Sequence, residues 1–502
     1  MKKEGDVAYL LALDQGTTSS RATLFTPEGE ALGTASRNLS QHYPRPGWVE
    51  HDPLEIWEGQ LACLREVLAE RAVLPCEIAG IGITNQRETT VVWERSTGNP
   101  LYRAIVWQDR RTAELTESLK REGLEPMIRE RTGLLLDPYF SASKLNWLLE
   151  HVEGLRARAE RGEVCFGTID SWLVFRLSGG RSHVTDLSNA SRTLLFNIRT
   201  LAWDDDLLRL FGVPRAMLPE VLPSASLFGR SDAQLTGAQF PITGMAGDQQ
   251  AALFGQGCFK PGMAKATFGT GAFVVMNSGA QVASGAGVLS TIAWQLPGEA
   301  VQYALEGSIF IAGAAVEWLK EGLGLIGSAA EVEELARSVP DTGGVYFVPA
   351  LSGLGTPYWD PYARGVIAGL TRGSNRAHLA RAALEAIAFQ TVDAIRAMER
   401  GSGIALSELR VDGGAARNDL LLELQADLLG APVLRPRCTE TTSLGAAMLA
   451  GIGAGLMDTG SIARHWALDR RFEPLMGRER REELCRGWQR SVQLALGWGR
   501  GN

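Results

Sequence analysis

The chain is poor in the residues that staple or metallate a small fold. Among 502 residues there are six cysteines and six histidines. Cys63, Cys76, Cys165, Cys258, Cys438 and Cys485 are scattered, and no two stand at the spacing of a zinc knuckle or a redox pair. Reduced core or surface thiols are the expectation, and the dispersed histidines offer no metal-ligand pattern. A basic excess is missing too, since the net charge is −7. That excludes a general nucleic-acid binder, which needs a cationic field against phosphates, although a nucleotide pocket needs only a few donors. No run of about 18 uncharged apolar residues occurs, so no membrane insertion is expected. The charged start Met1–Asp6, ahead of the short apolar Val7–Leu13, lacks the cleavage pattern of a signal peptide. The cytoplasm is the expected location. There is also no Gly-x-x-x-x-Gly-Lys-Ser/Thr phosphate loop.

What is present is ordinary soluble composition, 45% hydrophobic and 21% charged, in a chain too long for one core. Two lobes are expected. Val7–Leu13 reads as a buried strand that ends at Asp14, and Arg21–Phe25 as its hairpin partner, with a Gly/Thr/Ser tip between them. Residues 54–72 have helical periodicity, with Asp52 as N-cap and Pro53 at the first position. Ile78–Thr84 is the next strand. A second cycle starts near Phe240, with strand Pro241–Ala246 and a helix opening at Asp248. Met263–Phe268 and Phe273–Asn277 flank Gly269-Thr270-Gly271 as another hairpin. Helical segments follow at 308–322 and 376–401, then strand Leu409–Val411 and a helix through Leu429. Two strand–turn–strand units about 255 residues apart suggest two similar α/β lobes joined near residue 250. The expected division is 1–255 and 256–502. The Arg- and Glu-rich end, from about residue 456, reads as a polar, solvated helical tail.

Five polar turns follow apolar strands. Asp14-Gln15-Gly16-Thr17-Thr18-Ser19-Ser20-Arg21 can turn sharply at Gly16 and offer backbone N–H groups and hydroxyls to phosphates, with Asp14 reaching Mg²⁺ through water. A plain hairpin turn explains it equally. Phe268-Gly269-Thr270-Gly271 offers the same choice. Asp412-Gly413-Gly414-Ala415, with Arg417-Asn418, lets a flat ligand approach backbone at a helix start, or is only a tight turn. Asp248, in Gly247-Asp248-Gln249-Gln250, is either a helix cap or a general base for a hydroxyl. Arg87 and Glu88, within Asn85–Thr90, can clamp vicinal hydroxyls by donating and accepting, or form a surface ion pair. Joint coincidence of all five plain readings is much less expected than any one of them.

On these motifs the chain resembles the glycerol kinases, within the carbohydrate-kinase family whose two ribonuclease-H-like, actin-like lobes enclose a catalytic cleft. The resemblance runs from Asp14 to about Gly455. It includes Tyr43–Pro53 (YPRPGWVEHDP), Ile105–Thr112 (IVWQDRRT) and, most specifically, Thr356–Gly365 (TPYWDPYARG). It implies that Arg87, Glu88, Tyr139, Asp248 and Gln249 hydrogen-bond glycerol, and that Trp107 and Phe273 wall its carbon chain. Thr17, Thr18 and Ser19, with Arg21 close behind, would hold ATP phosphates from one lobe and Thr270 from the other. Gly313, Glu317, Gly414 and Asn418 would line the adenosine site. Asp14 and Asp248 would position Mg²⁺. Glu317 stands where the family often has Gln and lacks its amide donor. The loop Leu235–Pro241 carries neither the Gly/Arg loop of sugar-bisphosphate inhibition nor a phosphorylatable histidine, since no His lies between His183 and His378. Neither control mode is expected.

The resemblance therefore implies ATP-dependent phosphorylation of glycerol to sn-glycerol 3-phosphate, the first step of glycerol catabolism. Asp248 would be the base, ATP and ADP the nucleotide partners, and a dimer or tetramer the assembly. Two other readings compete. A kinase for another polyol or a sugar such as xylulose would need a different clamp. A non-catalytic nucleotide switch on the same fold would need the phosphate tips but not the clamp.

Overall fold

The computed structural model describes residues 8–71 and 73–500. Two large sheets dominate it. In the first, β1 (Tyr9–Gln15), β2 (Ser19–Phe25), β3 (Ala31–Asn38), β4 (Ile78–Asn85), β5 (Gly229–Arg230) and β6 (Pro241–Gly247) run in the order β5-β6-β4-β1-β2-β3. The chain from β1 to β3 pairs antiparallel, whereas β4 and β6 run parallel to β1. The second sheet holds β7 (Met263–Phe268), β8 (Ala272–Gly279), β9 (Leu289–Trp294), β10 (Gln302–Ile309), β11 (Glu408–Asp412), β12 (Val433–Pro436) and β13 (Leu468–Phe472). Their order is β9-β10-β8-β7-β11-β12-β13. The run β3-β2-β1-β4-β6 and the run β10-β8-β7-β11-β12 have the same order and the same directions. The expected pair of similar α/β lobes is what the strand pairings show.

The helices follow from local sequence. In α1 (Pro53–Glu70), Asp52 accepts the Leu54 N–H and proline takes the first turn, where its missing donor costs nothing. Val7 and Ala72, at the ends of the expected first strand and first helix, lie outside the described residues. Next come α2 (Ser141–His151), α3 (Asp248–Gly255) and α4 (Gly313–Glu317), whose last turn continues as a wider coil over Trp318–Gly322. Among the later ones are α5 (Arg376–Ser402), α6 (Asp419–Leu429), α7 (Thr441–Gly453) and α8 (Arg478–Ala495). Helix α7, late in the chain, packs on β1, β4 and β6 of the first sheet and on α3. Small residues allow it: a Cβ on Gly255 or Gly445 would strike the facing helix backbone, and one on Gly82 would strike Ala446. The two lobes are thus clasped through α3 and α7.

Two expectations change. Ser308 does not open a helix but lies in β10, because Gln302–Ile309 is a buried strand that pairs with β8 and the helix waits until Gly313. The tail is not a solvated extension. It opens with a short helix over Thr459–His465 and continues as β13, paired with β12. In α8, Cys485, Trp488, Val492 and Ala495 recur at helical spacing and are buried, with Trp488 stacked on Phe389 of α5 at 5.2 Å. Only its opposite face carries the exposed Arg and Glu residues.

Candidate active site

The carboxyl ends of β1, β4 and β6 come together because these strands are parallel and in register, with Asp14 beside Thr84 and Gly247 beside Asn85. Asp14, the Arg87–Glu88 turn and Asp248 therefore meet at one edge. Gly247 takes the helix-cap position, so Asp248 is the first residue of α3 rather than its cap. Its Oδ1 accepts from Gln249 N at 2.7 Å and meets Arg87 Nε at 3.1 Å. Among the described residues no group hydrogen-bonds Oδ2, and the side chain is 29% exposed. Asp14 is half-buried and accepts from Ser443 Oγ at 2.8 Å. Burial pushes its carboxyl up to about 6 against the pull of Ser443 and Arg21, and the charge of Asp248 pushes the same way.

Arg87 and Glu88 are buried, not a surface pair. Glu88 has a positive φ of 62°, rare for a non-glycine residue and a mark of backbone held for a purpose. Arg87 gives Nη1 and Nη2 to Glu306 at 2.5 and 3.1 Å, and Nη1 also to Gln250 at 3.2 Å. Arg192 donates from Nε to Glu88 at 2.6 Å and from Nη2 to Glu306 at 3.0 Å. Burial alone would raise Glu306, but Arg192 and Arg87 overcome it and hold the carboxyl down to about 2. Burial wins at Glu88, whose carboxyl is raised despite the same two arginines.

Between the lobes lies a cavity of about 640 Å³. Trp107, Tyr139, Gln249 and Phe273 line it, together with Thr17, Thr18 and Thr270. The Trp107 ring lies edge-on to Tyr139 at 5.5 Å and to Phe273 at 6.5 Å, and its Nε1 donates to Thr17 Oγ1 at 3.0 Å. A second cavity of about 730 Å³ is lined by Thr270, Gly313, Glu317, Gly414 and Asn418. The Gly269-Thr270 tip borders both. A Cβ on Gly313 would stand 2.7 Å from Gly269 O and one on Gly413 (φ +86°) 2.5 Å from Phe268 O, so glycine lets the tip and its neighbours close up. A Cβ on Gly414 would meet no protein atom. Asn418 caps α6, accepting from Leu421 N at 2.8 Å, and Glu317 pairs with Lys320 at 2.7 Å. Ser19 stands at the start of β2, and Arg21 is turned to Glu440 at 2.5 Å.

Sequence reasoning missed Glu306, Arg192, Lys265 and Ser308. Ser308 lines the first cavity, and its buried hydroxyl has no protein partner. The signal for Glu306 and Lys265 was a charged residue inside an otherwise apolar strand, in YALEGSI and MAKATF.

The match to known proteins covers both lobes. Residues 9–255 match the N-terminal domain, and residues 264–454 the C-terminal domain, of the FGGY family of carbohydrate kinases. The chain belongs to the FGGY family. Among FGGY relatives, a glycerol kinase of Citrifermentans bemidjiense is 78% identical over 95% of this chain and 97% of its own length. One from Thermus brockianus is 61% identical over 95% and 96%. The crystal structure of Plasmodium falciparum glycerol kinase with ADP superposes with a TM-score of 0.93 at 36% identity, covering 98% of each chain. The two-domain FGGY kinase fold is the fold of this chain.

Proposed function

We infer that this enzyme transfers the γ-phosphoryl group of ATP to glycerol, giving sn-glycerol 3-phosphate and ADP, the first step of glycerol catabolism. The observation that carries the reading is the pair of cavities that share the Gly269-Thr270 tip. One is walled by aromatic rings and polar groups, the lining that suits the carbon chain and hydroxyls of a polyol. The other is lined by small residues and a helix start, as a nucleotide requires. The 78% identity to a glycerol kinase over nearly the whole chain favours glycerol among the acceptors that this fold serves.

The proposed roles follow from the contacts. Asp248 takes the proton of the attacking hydroxyl at Oδ2, because Oδ1 is already held by Arg87 and the Gln249 N–H. Arg87, Glu88, Tyr139 and Gln249 hold the hydroxyls, and Trp107 and Phe273 exclude water around the carbon chain. Thr17, Thr18, Ser19 and Thr270 receive the phosphates, with Arg21 behind them. Gly313, Glu317, Gly414 and Asn418 receive adenosine. Asp14 and Asp248 are the carboxylates that fit Mg²⁺: the charge of Asp248 raises the cost of ionising Asp14, and this ion takes one or two carboxylates besides phosphate oxygens. Bound there, it would neutralise charge on the transferred phosphoryl group.

The 1–255 and 256–502 division is proposed with these roles, with the polyol site on the first part and adenosine on the second. Assembly into a dimer or tetramer is proposed from the exposed apolar end of α8, where Leu494 and Trp498 are 56% and 67% exposed. A cytoplasmic location is supported by six free cysteines. Among the described residues no helix is long and apolar enough to cross a membrane. A coupled assay with ATP and a panel of glycerol, other small polyols and xylulose tests the function. Preference for glycerol is expected, and a preference for a ketose overturns it.

A further inference from the structure

Gln249, which lines the cavity, and the buried Arg87 stand on the first lobe, yet each is held by a buried charge from the second. Glu306, in the middle of β10, is 0% exposed and receives both Nη groups of Arg87 and one of Arg192. Lys265, in the middle of β7, is also 0% exposed. Its Nζ donates to Gln249 Oε1 and, at 2.9 Å, to Thr267 Oγ1.

These contacts decide hydrogen-bond polarity. An ammonium group has donors and no acceptor, so Lys265 consumes the Gln249 oxygen and settles which way the amide faces. Nε2, without a hydrogen-bond partner among the described residues, is what Gln249 offers to the cavity that it lines. Glu306 likewise takes the Arg87 fork on its two oxygens, which fixes the guanidinium plane. Arg87 Nε is thereby aimed at Asp248. A side chain that flips or swings would lose substrate affinity even with every clamp residue present.

We propose that Lys265 and Glu306 are positioning residues by which the second lobe sets the polarity of the polyol site, so that Gln249 is a fixed donor and Arg87 a fixed fork. The inference rests on the glycerol reading above and deepens it: the site takes hydroxyl oxygens that accept from these two groups. The strand that carries Lys265 also ends, four residues on, in the Gly269 tip. The same element therefore borders the phosphate region and sets the polyol polarity.

The test compares the wild type with Lys265→Met and Glu306→Gln. Each variant is expected to raise KM for glycerol about 10-fold or more while KM for ATP stays within about 2-fold. Lys265→Met is also expected to lower the preference for glycerol over 3-aminopropane-1,2-diol by about 5-fold or more, because a released Gln249 amide can turn and accept from an ammonium group. Thermal unfolding identifies the folded variants. Glu306→Gln leaves two buried arginines around a neutral amide; if it does not fold, Lys265→Met decides alone. An unchanged KM for glycerol, or an equal rise for both substrates, overturns the inference. A wild type that fails to phosphorylate glycerol overturns the functional reading itself.

Discussion

The two lobes share one strand order, but they spend their strand ends differently. At the ends of β1, β4 and β6 stand Asp14, Arg87, Glu88 and Asp248. At the equivalent ends of β7 and β11 stand the Gly269–Gly271 tip and Gly413-Gly414. On the proposed roles, the first lobe puts charge where a hydroxyl must lose a proton, and the second leaves space where a flat ligand must lie against backbone. Two buried charges of the second lobe, Lys265 and Glu306, sit in mid-strand and reach across to the first. A duplicated topology therefore supplies two frames, and the residues at their edges divide the labour.

Four experiments sharpen or break that contrast. Asp248→Asn should cost about 10²–10⁴-fold in kcat with little change in KM for ATP, measured in the coupled assay. Near-normal turnover would remove the base from the first lobe. The lobes should also differ in acid sensitivity. Burial lowers His51 and His183, both before residue 255, to about 4. Between their ordinary value of 6.5 and about 4, the unfolded chain binds protons that the folded chain refuses. Stability is therefore lost as pH falls through that window, by up to about 3 kcal/mol per histidine. His51→Asn should flatten the slope of stability against pH, read from denaturant melts; an unchanged slope contradicts the assignment. Gly414→Val, which fills space that no protein atom occupies, should raise KM for ATP about 10-fold and leave melting and KM for glycerol near wild type. An equal effect on both substrates would blur the division. The smallest effect is expected at Arg21→Ala. Its pair with Glu440 is half-exposed, so stability should change by less than about 1 kcal/mol. A KM for ATP raised more than about 5-fold would show that Arg21 reaches the phosphates in the working complex.

Much of the frame was legible because local rules sufficed. Asp52 and Pro53 announced α1, and the glycines at 16 and 269 announced the hairpin tips, since φ/ψ demands and capping act within a few residues. Ser308 was misplaced because a short apolar stretch reads as helix or strand until its partner is known, and here the partner is β8. The tail was misjudged because Arg and Glu outnumber Cys485, Trp488 and Val492, although burial needs only one helical face. At the candidate site, the glycine-rich turns stood out as runs. Arg192 did not, since a lone arginine shows its worth only when Glu88 and Glu306 close around it.

The sequence by itself determined two α/β units, two Gly/Thr tips, a charged turn at Arg87–Glu88 and a carboxylate at Asp248 after an apolar strand. These rest on spacing along the chain, which backbone geometry translates directly into local structure. Only the tertiary structure decided that Asp248 is no helix cap, that its Oδ2 has no hydrogen-bond partner among the described residues, and that Glu306 and Lys265 hold Arg87 and Gln249 from the other lobe. Glu306 lies 219 residues from Arg87 and Lys265 lies 16 from Gln249. Hydrogen-bond polarity in a buried site depends on which groups meet there, and no local rule specifies that meeting.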